Sequence, residues 1–582
     1  MTSIYYTDEP NVLMLISMLK QAGIKRVIAS PGTTNSALVI SLQHDPYFEL
    51  FSAVDERSAA YMSCGMAIET NEPIMITCTG ATASRNYLPG LTEAFYKKLP
   101  ILAVTGSQDI SKVGHLTAQH IDRSQQPKDT YLYSDTLPYV HDPDTKWDCM
   151  IKLNRAKHTL LRSNGGPVHL NLPVKYNQKY STKKLPKLHS IDFYSAASEI
   201  PNFNGQTVNI FAGSGRLLNK DQTAIIDQFC EQNDSYVIRD HTSCYQGKYS
   251  IQTSLIASQK ELQLGSLRSN ITIHIGEVTG DYPSSRLISN NVWRVSSDGE
   301  IKDPFRRLSK IFNMDIESFC THFINKDSTV KNVNRFNSFK KITTELRNEI
   351  GDLPLSNIWI AKELHKNIPS FSNVHFGILN SLRSWNLFEL DESINTSSNV
   401  GGFGIDGCLS TLIGSSFVAP KKLHFIVIGD LALFYDLNVL GNRHLGKNVR
   451  ILLVNNGCGT EFKNFGHHTS VLGKKADAHV AASGHFGNKS TLLMKGFAES
   501  MNIRYLSAKS KDQFNENVGE FLSPNDEKSI LFEVFTESES ESKALELVSN
   551  LRSNNVGRTK EILKKTLGKT AIRKISSTIR RL

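Results

Sequence analysis

Short apolar runs, most of them ending in glycine or a small polar residue, punctuate this chain at intervals filled by helix-period patterns. In a first block they read KRVIASPG (25–32), PIMITCTG (73–80) and PILAVTGS (100–107). A second block has TVNIFAGSG (207–215), SYVIRD (235–240) and ITIHIGE (271–277). A third has NVHFGILNS (373–381), HFIVIGD (424–430), RILLVNN (450–456) and SILFEVFT (529–536). Continuous Val, Ile and Leu runs read as strands buried on both faces, and their alternation with helices predicts doubly wound parallel sheets. The fold class is therefore α/β with three such domains, 1–180, 190–335 and 345–545, followed by a basic tail, 546–582. Polar stretches near 180–205 and 325–345 read as linkers.

With 582 residues, 40% of them hydrophobic, the chain can build several cores. The first residues lack the basic start and long apolar core of a signal peptide, and no segment has eighteen consecutive apolar residues, so a cytoplasmic location is expected. Eight cysteines are scattered without CxxC spacing, which suggests core thiols rather than a zinc site or a disulfide framework. The net charge of +10 resembles a nucleic-acid signal until it is located: ten Lys and Arg against one Glu lie between Leu551 and Leu582. The body is nearly neutral, and no nucleic-acid partner is expected. Ile562, Leu563, Leu567, Ile572, Ile575 and Ile579 interleave the tail's charges. That pattern permits an amphipathic helix on an anionic membrane surface or an acidic partner, or a solvated end, and the acidic ESESES run (537–542) is a candidate partner for it.

Candidate chemistry sits where two strands of the third block end. In open α/β sheets ligands bind at the carboxyl ends of the strands. There HFIVIGD delivers Gly429 and Asp430, and RILLVNN delivers Asn456 with a glycine-rich turn behind it. A carboxylate and an amide carbonyl are hard oxygen ligands suited to magnesium, and the backbone carbonyl of Cys458 is a third candidate. Either dipeptide alone would more often be a helix cap or a turn.

Gly-Asp, about twenty-five residues, then Asn-Asn resembles the diphosphate-binding motif of thiamin-diphosphate (ThDP) enzymes. By that resemblance Asp430, Asn456 and the Cys458 carbonyl hold Mg2+. The third motif position is Leu431, as in the MenD-type branch, the succinyl-enolpyruvyl-hydroxycyclohexene-carboxylate synthases. SPGTTNSALVISL, VDERSAAYMSCGMA, the CTGATAS to VTGS segment, AQHID and GPVHLNLP follow in the order found in the superfamily's pyrimidine-binding domain. The resemblance implies further roles. Glu56 matches the glutamate set against the aminopyrimidine ring, in a site expected to be apolar and so to raise its pKa. Gln119 matches a glutamine facing cofactor and substrate. Ile405 matches the apolar residue that props the bent cofactor, and Gly80 admits a close backbone approach. A site shared between subunits is implied, hence a homodimer or homotetramer.

NSLRSWNLFE and GIDGCLSTLIGSS are also similar to MenD-type segments. Those synthases hold 2-oxoglutarate and isochorismate with several arginines. Here Thr34, Ser107 or Gln108, Trp385 and Val400 occupy the corresponding positions, with Arg123 and Arg383 nearby as candidate substitutes. The leading expectation is accordingly an acetolactate-synthase-like enzyme that decarboxylates a small, pyruvate-like 2-oxoacid and passes the aldehyde unit to an acceptor. A MenD-type synthase is the alternative, and a non-catalytic ThDP-fold partner subunit is the alternative of another class. His115 and His120 are candidate acid/base residues, and His467 and His468 are candidates for lining the substrate entrance. FAGSGRL in the middle block is a strand-to-helix glycine turn, with no FAD expected.

Overall fold

The computed structural model describes residues 5–260, 262–325, 331–485 and 490–552. Each apolar run forms a strand, and three sheets result. The first takes β1 (Arg26–Ala29), β2 (Glu49–Ser52), β3 (Ile74–Cys78), β4 (Ile101–Ser107), β5 (Tyr133–Thr136) and β6 (Val168–Pro173), in the order β2-β1-β3-β4-β6-β5. The second takes β7 (Asp192–Ser195), β8 (Val208–Ala212), β9 (Val237–Arg239), β10 (Ser250–Gln252), β11 (Ile271–Ile275), β12 (Val292–Val295) and β13 (Leu308–Asn313). Its order is β10-β9-β8-β11-β12-β13-β7, and it is parallel from β10 to β12.

The third takes β14 (Asn373–Phe376), β15 (Asn395–Ser398), β16 (His424–Gly429), β17 (Val449–Asn455), β18 (Arg504–Ala508) and β19 (Ile530–Phe535). Its order, β15-β14-β16-β17-β19-β18, repeats that of the first sheet, and every pairing in both is parallel. Central strands such as β3, β4, β6 and β17 are buried at every residue, as helices on both faces of a parallel sheet require.

The chain divides into two compact units, residues 1–193 with 300–311, and residues 194–299 with 312–582. In the first, the helix Pro10–Gln21 buries Val12 to Leu19 against one sheet face, while Ala59, Ala60 and Leu91 cover the other. In the second, Phe229, Trp293, Phe312 and Phe319 fill the core around β8 and β11, and Leu409, Leu412, Ile426 and Ile451 fill that around β16 and β17.

Two expectations need correction. The stretch 325–345, read as a linker, contains most of the helix Asn334–Asn348. Its inward positions, Phe339, Thr343 and Leu346, follow helical spacing but are outnumbered by polar neighbours. The stretch 180–205 contains β7, an edge strand. All eight cysteines are free and buried, the core thiols expected. Among the described residues no helix is long and apolar enough to cross a membrane. Residues 553–582 of the basic tail lie outside the described residues.

Candidate functional site

Register brings the ends of β16 and β17 level. Gly429 pairs with Val454, so Asp430 lies one residue past the ladder beside Asn455 and Asn456. Gly429 is the extended residue before the short helix Asp430–Tyr435, and Asp430 is 1% exposed. Its Oδ2 has no hydrogen-bond partner, although a buried carboxylate oxygen without one is costly. Burial pushes the carboxyl up to about 7. The N–H groups of Leu431, Asp430 itself and Gly457 oppose that rise, and the charge of Glu533 adds to it.

The adjacent asparagines divide their work. Asn455 is buried and donates Nδ2 to Glu533 Oε1 at 2.6 Å, while Tyr505 donates to Glu533 Oε2 at 2.7 Å. Asn456 is half-buried, and its Oδ1 accepts weakly from the Cys458 N–H at 3.4 Å. Gly457 has φ +70°, a left-handed turn that suits glycine. The Cys458 carbonyl accepts from the Thr460 N–H at 2.9 Å and keeps a second lone pair. An orphaned carboxylate oxygen, an amide oxygen and a carbonyl oxygen form a donor set that fits Mg2+. Among the described residues no cluster of three or more His, Cys, Asp or Glu offers another metal site. Ile405 precedes the helix Cys408–Val418, half-buried against the same core, and Leu431 is half-buried beside Asp430.

Glu56, Gly80, His115, Gln119 and His120 belong to the first unit. Glu56 opens the helix Glu56–Thr70, which Asp55 caps by accepting from the Arg57 N–H at 3.0 Å. Glu56 itself is half-buried, with Asn86 Nδ2 at 3.4 Å from Oε2. The apolar enclosure expected for it is therefore not supplied by this chain's described residues, because a helix start at the sheet's rim leaves the carboxylate open to solvent. Gly80, just past β3, is buried. A Cβ there would stand 3.2 Å from the Gln119 carbonyl and 3.3 Å from the Gly106 carbonyl, so glycine lets three segments meet. Gln119 is exposed at φ +59°, with its backbone rather than its side chain against Gly80. His115 is exposed; His120 is half-buried, and its Nε2 is buried without a partner.

Of the positions matched to arginines in the synthases, Thr34, Ser107, Trp385 and Val400 are buried, and Gln108, the alternative to Ser107, is half-buried. Thr34 is buried, its hydroxyl 2.6 Å from that of Thr79; Ser107 is buried at the end of β4; Trp385 and Val400 are 1% and 4% exposed. Of the two nearby arginines, Arg383 is engaged, paired with Glu461 and lying over the Tyr282 ring at 5.4 Å. Among the described residues Arg123 has no such pair. His467 and His468 stack loosely, 4.4 Å between ring centroids, and His467 Nδ1 lies 2.8 Å from the Thr469 hydroxyl.

Sequence reasoning missed Glu541. The ESESES run, read as a candidate partner for the basic tail, enters the helix Ser538–Ser549 and turns Glu541 inward to 1% exposure. There it accepts from the Asn357 N–H at 3.0 and 3.1 Å and from the Thr536 hydroxyl at 2.8 Å. Only its place on the buried face of a helix could have signalled this.

Comparison with known proteins gives a consistent result. Residues 13–126 match the model of the thiamine pyrophosphate enzyme N-terminal TPP-binding domain. A 2-succinyl-5-enolpyruvyl-6-hydroxy-3-cyclohexene-1-carboxylate synthase of Bacteroides fragilis is 28% identical over 560 residues, covering 93% of this chain and 98% of its own length. Synthases of the same name from Phocaeicola vulgatus and Flavobacterium johnsoniae are each 26% identical, covering 94% and 90% of this chain and 100% and 95% of their own. A thiamine-diphosphate-dependent 4-hydroxybenzoylformate decarboxylase of Rhodococcus jostii RHA1 covers 90% of this chain and 99% of its own, at 14% identity and a TM-score of 0.38, too low to carry an argument.

Proposed function

We propose, from the premise that this chain is a thiamin-diphosphate-dependent enzyme resembling the 2-succinyl-5-enolpyruvyl-6-hydroxy-3-cyclohexene-1-carboxylate synthases, that it decarboxylates a 2-oxoacid and joins the remaining aldehyde unit to a second substrate as those relatives' name implies. The succinyl group in that name is the four-carbon unit 2-oxoglutarate leaves on losing carbon dioxide. 2-Oxoglutarate is thus the proposed donor, with isochorismate as acceptor. This displaces the pyruvate-like donor favoured on the missing arginines alone, since the relatives match over more than nine-tenths of the chain.

When bound, ThDP supplies the nucleophilic carbon and electron sink that 2-oxoacid decarboxylation needs. In this reading Asp430, Asn456 and the Cys458 carbonyl hold Mg2+ and, through it, the cofactor's diphosphate. Glu56 bonds the aminopyrimidine ring and holds a proton there. Ile405 would support the bound cofactor, and Gly80, Gly429 and Leu431 would leave it room. Gln119, His115 and His120 face the substrate side. A partner subunit would enclose Glu56, so the working enzyme is at least a homodimer, with domains 1–180, 190–335 and 345–545. The observation carrying the cofactor assignment is the buried, unpartnered Oδ2 of Asp430 at the level ends of β16 and β17.

The test is carbon dioxide release from 2-oxoglutarate and from pyruvate, with ThDP, Mg2+ and isochorismate, for wild type and Glu56→Gln. Glu56-dependent turnover of 2-oxoglutarate supports the proposal. Preference for pyruvate restores the acetolactate-synthase-like reading, and turnover of neither by the ThDP-loaded protein favours a non-catalytic partner subunit.

A further inference from the structure

Arg123 lies between β4 and β5 and is 7% exposed. Burying a guanidinium is expensive unless its charge is matched, and removing it from water without a partner is rarely tolerated. Its Nη2 donates to the Gly106 carbonyl at 3.3 Å, while Nη1 is buried with no partner. Among the described residues no carboxylate pairs with it. The groups whose charge it feels are Cys78 and Tyr131, both neutral at physiological pH, and Arg85, which repels it. Burial lowers its pKa to about 10, so it stays charged at neutral pH.

Beside this cation is a cavity of about 30 Å³, with Ser107, His120, Arg123, Thr136 and Asn171 among its walls. A single water needs roughly 10–15 Å³, so the space suits the two oxygens of a carboxylate. His120 Nε2 is a second buried nitrogen without a partner. Asp122 also contributes to the wall, but its carboxylate is solvent-facing and accepts from the Ser124 N–H at 2.8 Å. The cavity adjoins Ser107 at the carboxyl end of β4, and Gly80 is close to Arg123: a Cβ there would lie 3.6 Å from its Nη2. Sheets of this kind take their ligands at that end.

We propose that Arg123 is a substrate-binding residue whose free Nη1 anchors a carboxylate of the donor acid in this cavity, with His120 Nε2 as a second contact. The assignment rests on the 2-oxoacid reading above and deepens it. It supplies a dicarboxylate-recognising cation where the positions matched to the synthases' arginines hold Thr34, Ser107 or Gln108, Trp385 and Val400. A charge-assisted contact to a buried guanidinium is strong, and an acid lacking the second carboxylate leaves that guanidinium unmatched.

Succinate, which has the two carboxylates but cannot be decarboxylated, tests binding without turnover. Calorimetric titration of the ThDP- and Mg2+-loaded enzyme is expected to show succinate binding that Arg123→Met weakens at least tenfold. The same variant should melt no lower than wild type, because it removes an unmatched buried charge; an arginine kept for structure would do the reverse. Should Arg123→Met fail to fold, Arg123→Lys, with charge but no fork, is expected to bind succinate between wild type and background. Succinate binding unchanged by either variant overturns the proposal, as does tighter binding of inorganic phosphate than of succinate. Arg123-dependent succinate binding in a protein that turns over no 2-oxoacid would keep this site and discard the reaction. Arg123-independent turnover of 2-oxoglutarate together with Arg123-independent succinate binding would do the opposite.

Discussion

Glu541 offers a test of the second unit's energetics that needs neither cofactor nor substrate. Its carboxyl is carried from an ordinary 4.5 up to about 7, by burial first, against the opposing hydrogen bonds from Thr536, Asn357 and Asn380. Below pH 4.5 the folded and unfolded chains both hold the proton, and the group exerts no pH-dependent effect. Between 4.5 and 7 the unfolded chain releases the proton and the folded one keeps it, so stability falls as pH rises; above 7 the penalty is constant at about 3 kcal/mol. Glu541→Gln removes the ionisation and keeps the fit: its amide oxygen still accepts from the Asn357 N–H, and the Thr536 hydroxyl can turn to accept from the new amide. The melting temperature of Glu541→Gln minus that of wild type, measured by scanning calorimetry from pH 5 to 8, should therefore grow with pH, by on the order of 5 °C for a unit of this size. Taking the difference cancels the buried Asp430 and Glu533, which titrate in both proteins. A difference that is flat across this range, or that shrinks as pH rises, refutes the reasoning.

Further outcomes are expected at the candidate site. Glu56→Gln should lower turnover of 2-oxoglutarate by roughly 10²–10⁴-fold while ThDP affinity, followed by tryptophan fluorescence, changes little; equal loss of both would make Glu56 a binding group only. Asp430→Asn should abolish the Mg2+ dependence of ThDP binding and weaken it by at least about tenfold, and intact Mg2+-dependent binding would remove Asp430 from the metal site. Gly80→Ala places a Cβ at 3.2 Å from the Gln119 carbonyl and 3.3 Å from that of Gly106. The neighbours must give by tenths of an ångström, with an expected cost of about 1–3 kcal/mol in thermal melts and a loss of kcat.

The strands were legible where burial on both faces writes a continuous apolar run, as in β3, β16 and β17. Edge strands were not: β5 (YSDT) and β15 (NTSS) have one neighbour each and no such run, so nothing in their composition separates them from loops. Asp430 and Asn456 were legible as candidates because oxygen-bearing side chains at the ends of apolar runs are a local pattern. That Asn455 serves Glu533 instead depends on pairing with a strand some eighty residues away. The burial of Glu541 and of Arg123 was opaque for one reason: both are charged, and charge in a sequence reads as solvent exposure until the tertiary structure turns the side chain inward.

The first and third sheets share one strand order, and in the cell this bears on how the molecule comes to be made. β3 and β16 occupy the same slot in their sheets, as do β4 and β17. Backbone ladders are blind to side chains, so a strand of one sheet can hydrogen-bond in the other's slot during collapse, and parallel, non-local pairing is slow enough to expose the chain to that error. Synthesis supplies an order of events. The first sheet has its last strand at Pro173, and the third has its first at Asn373, roughly 200 residues later. At 5–20 residues per second the ribosome gives the first sheet about 10–40 s to close before its double emerges. Refolding from denaturant removes that interval, and strand exchange between the two like sheets is the misfolding route it opens.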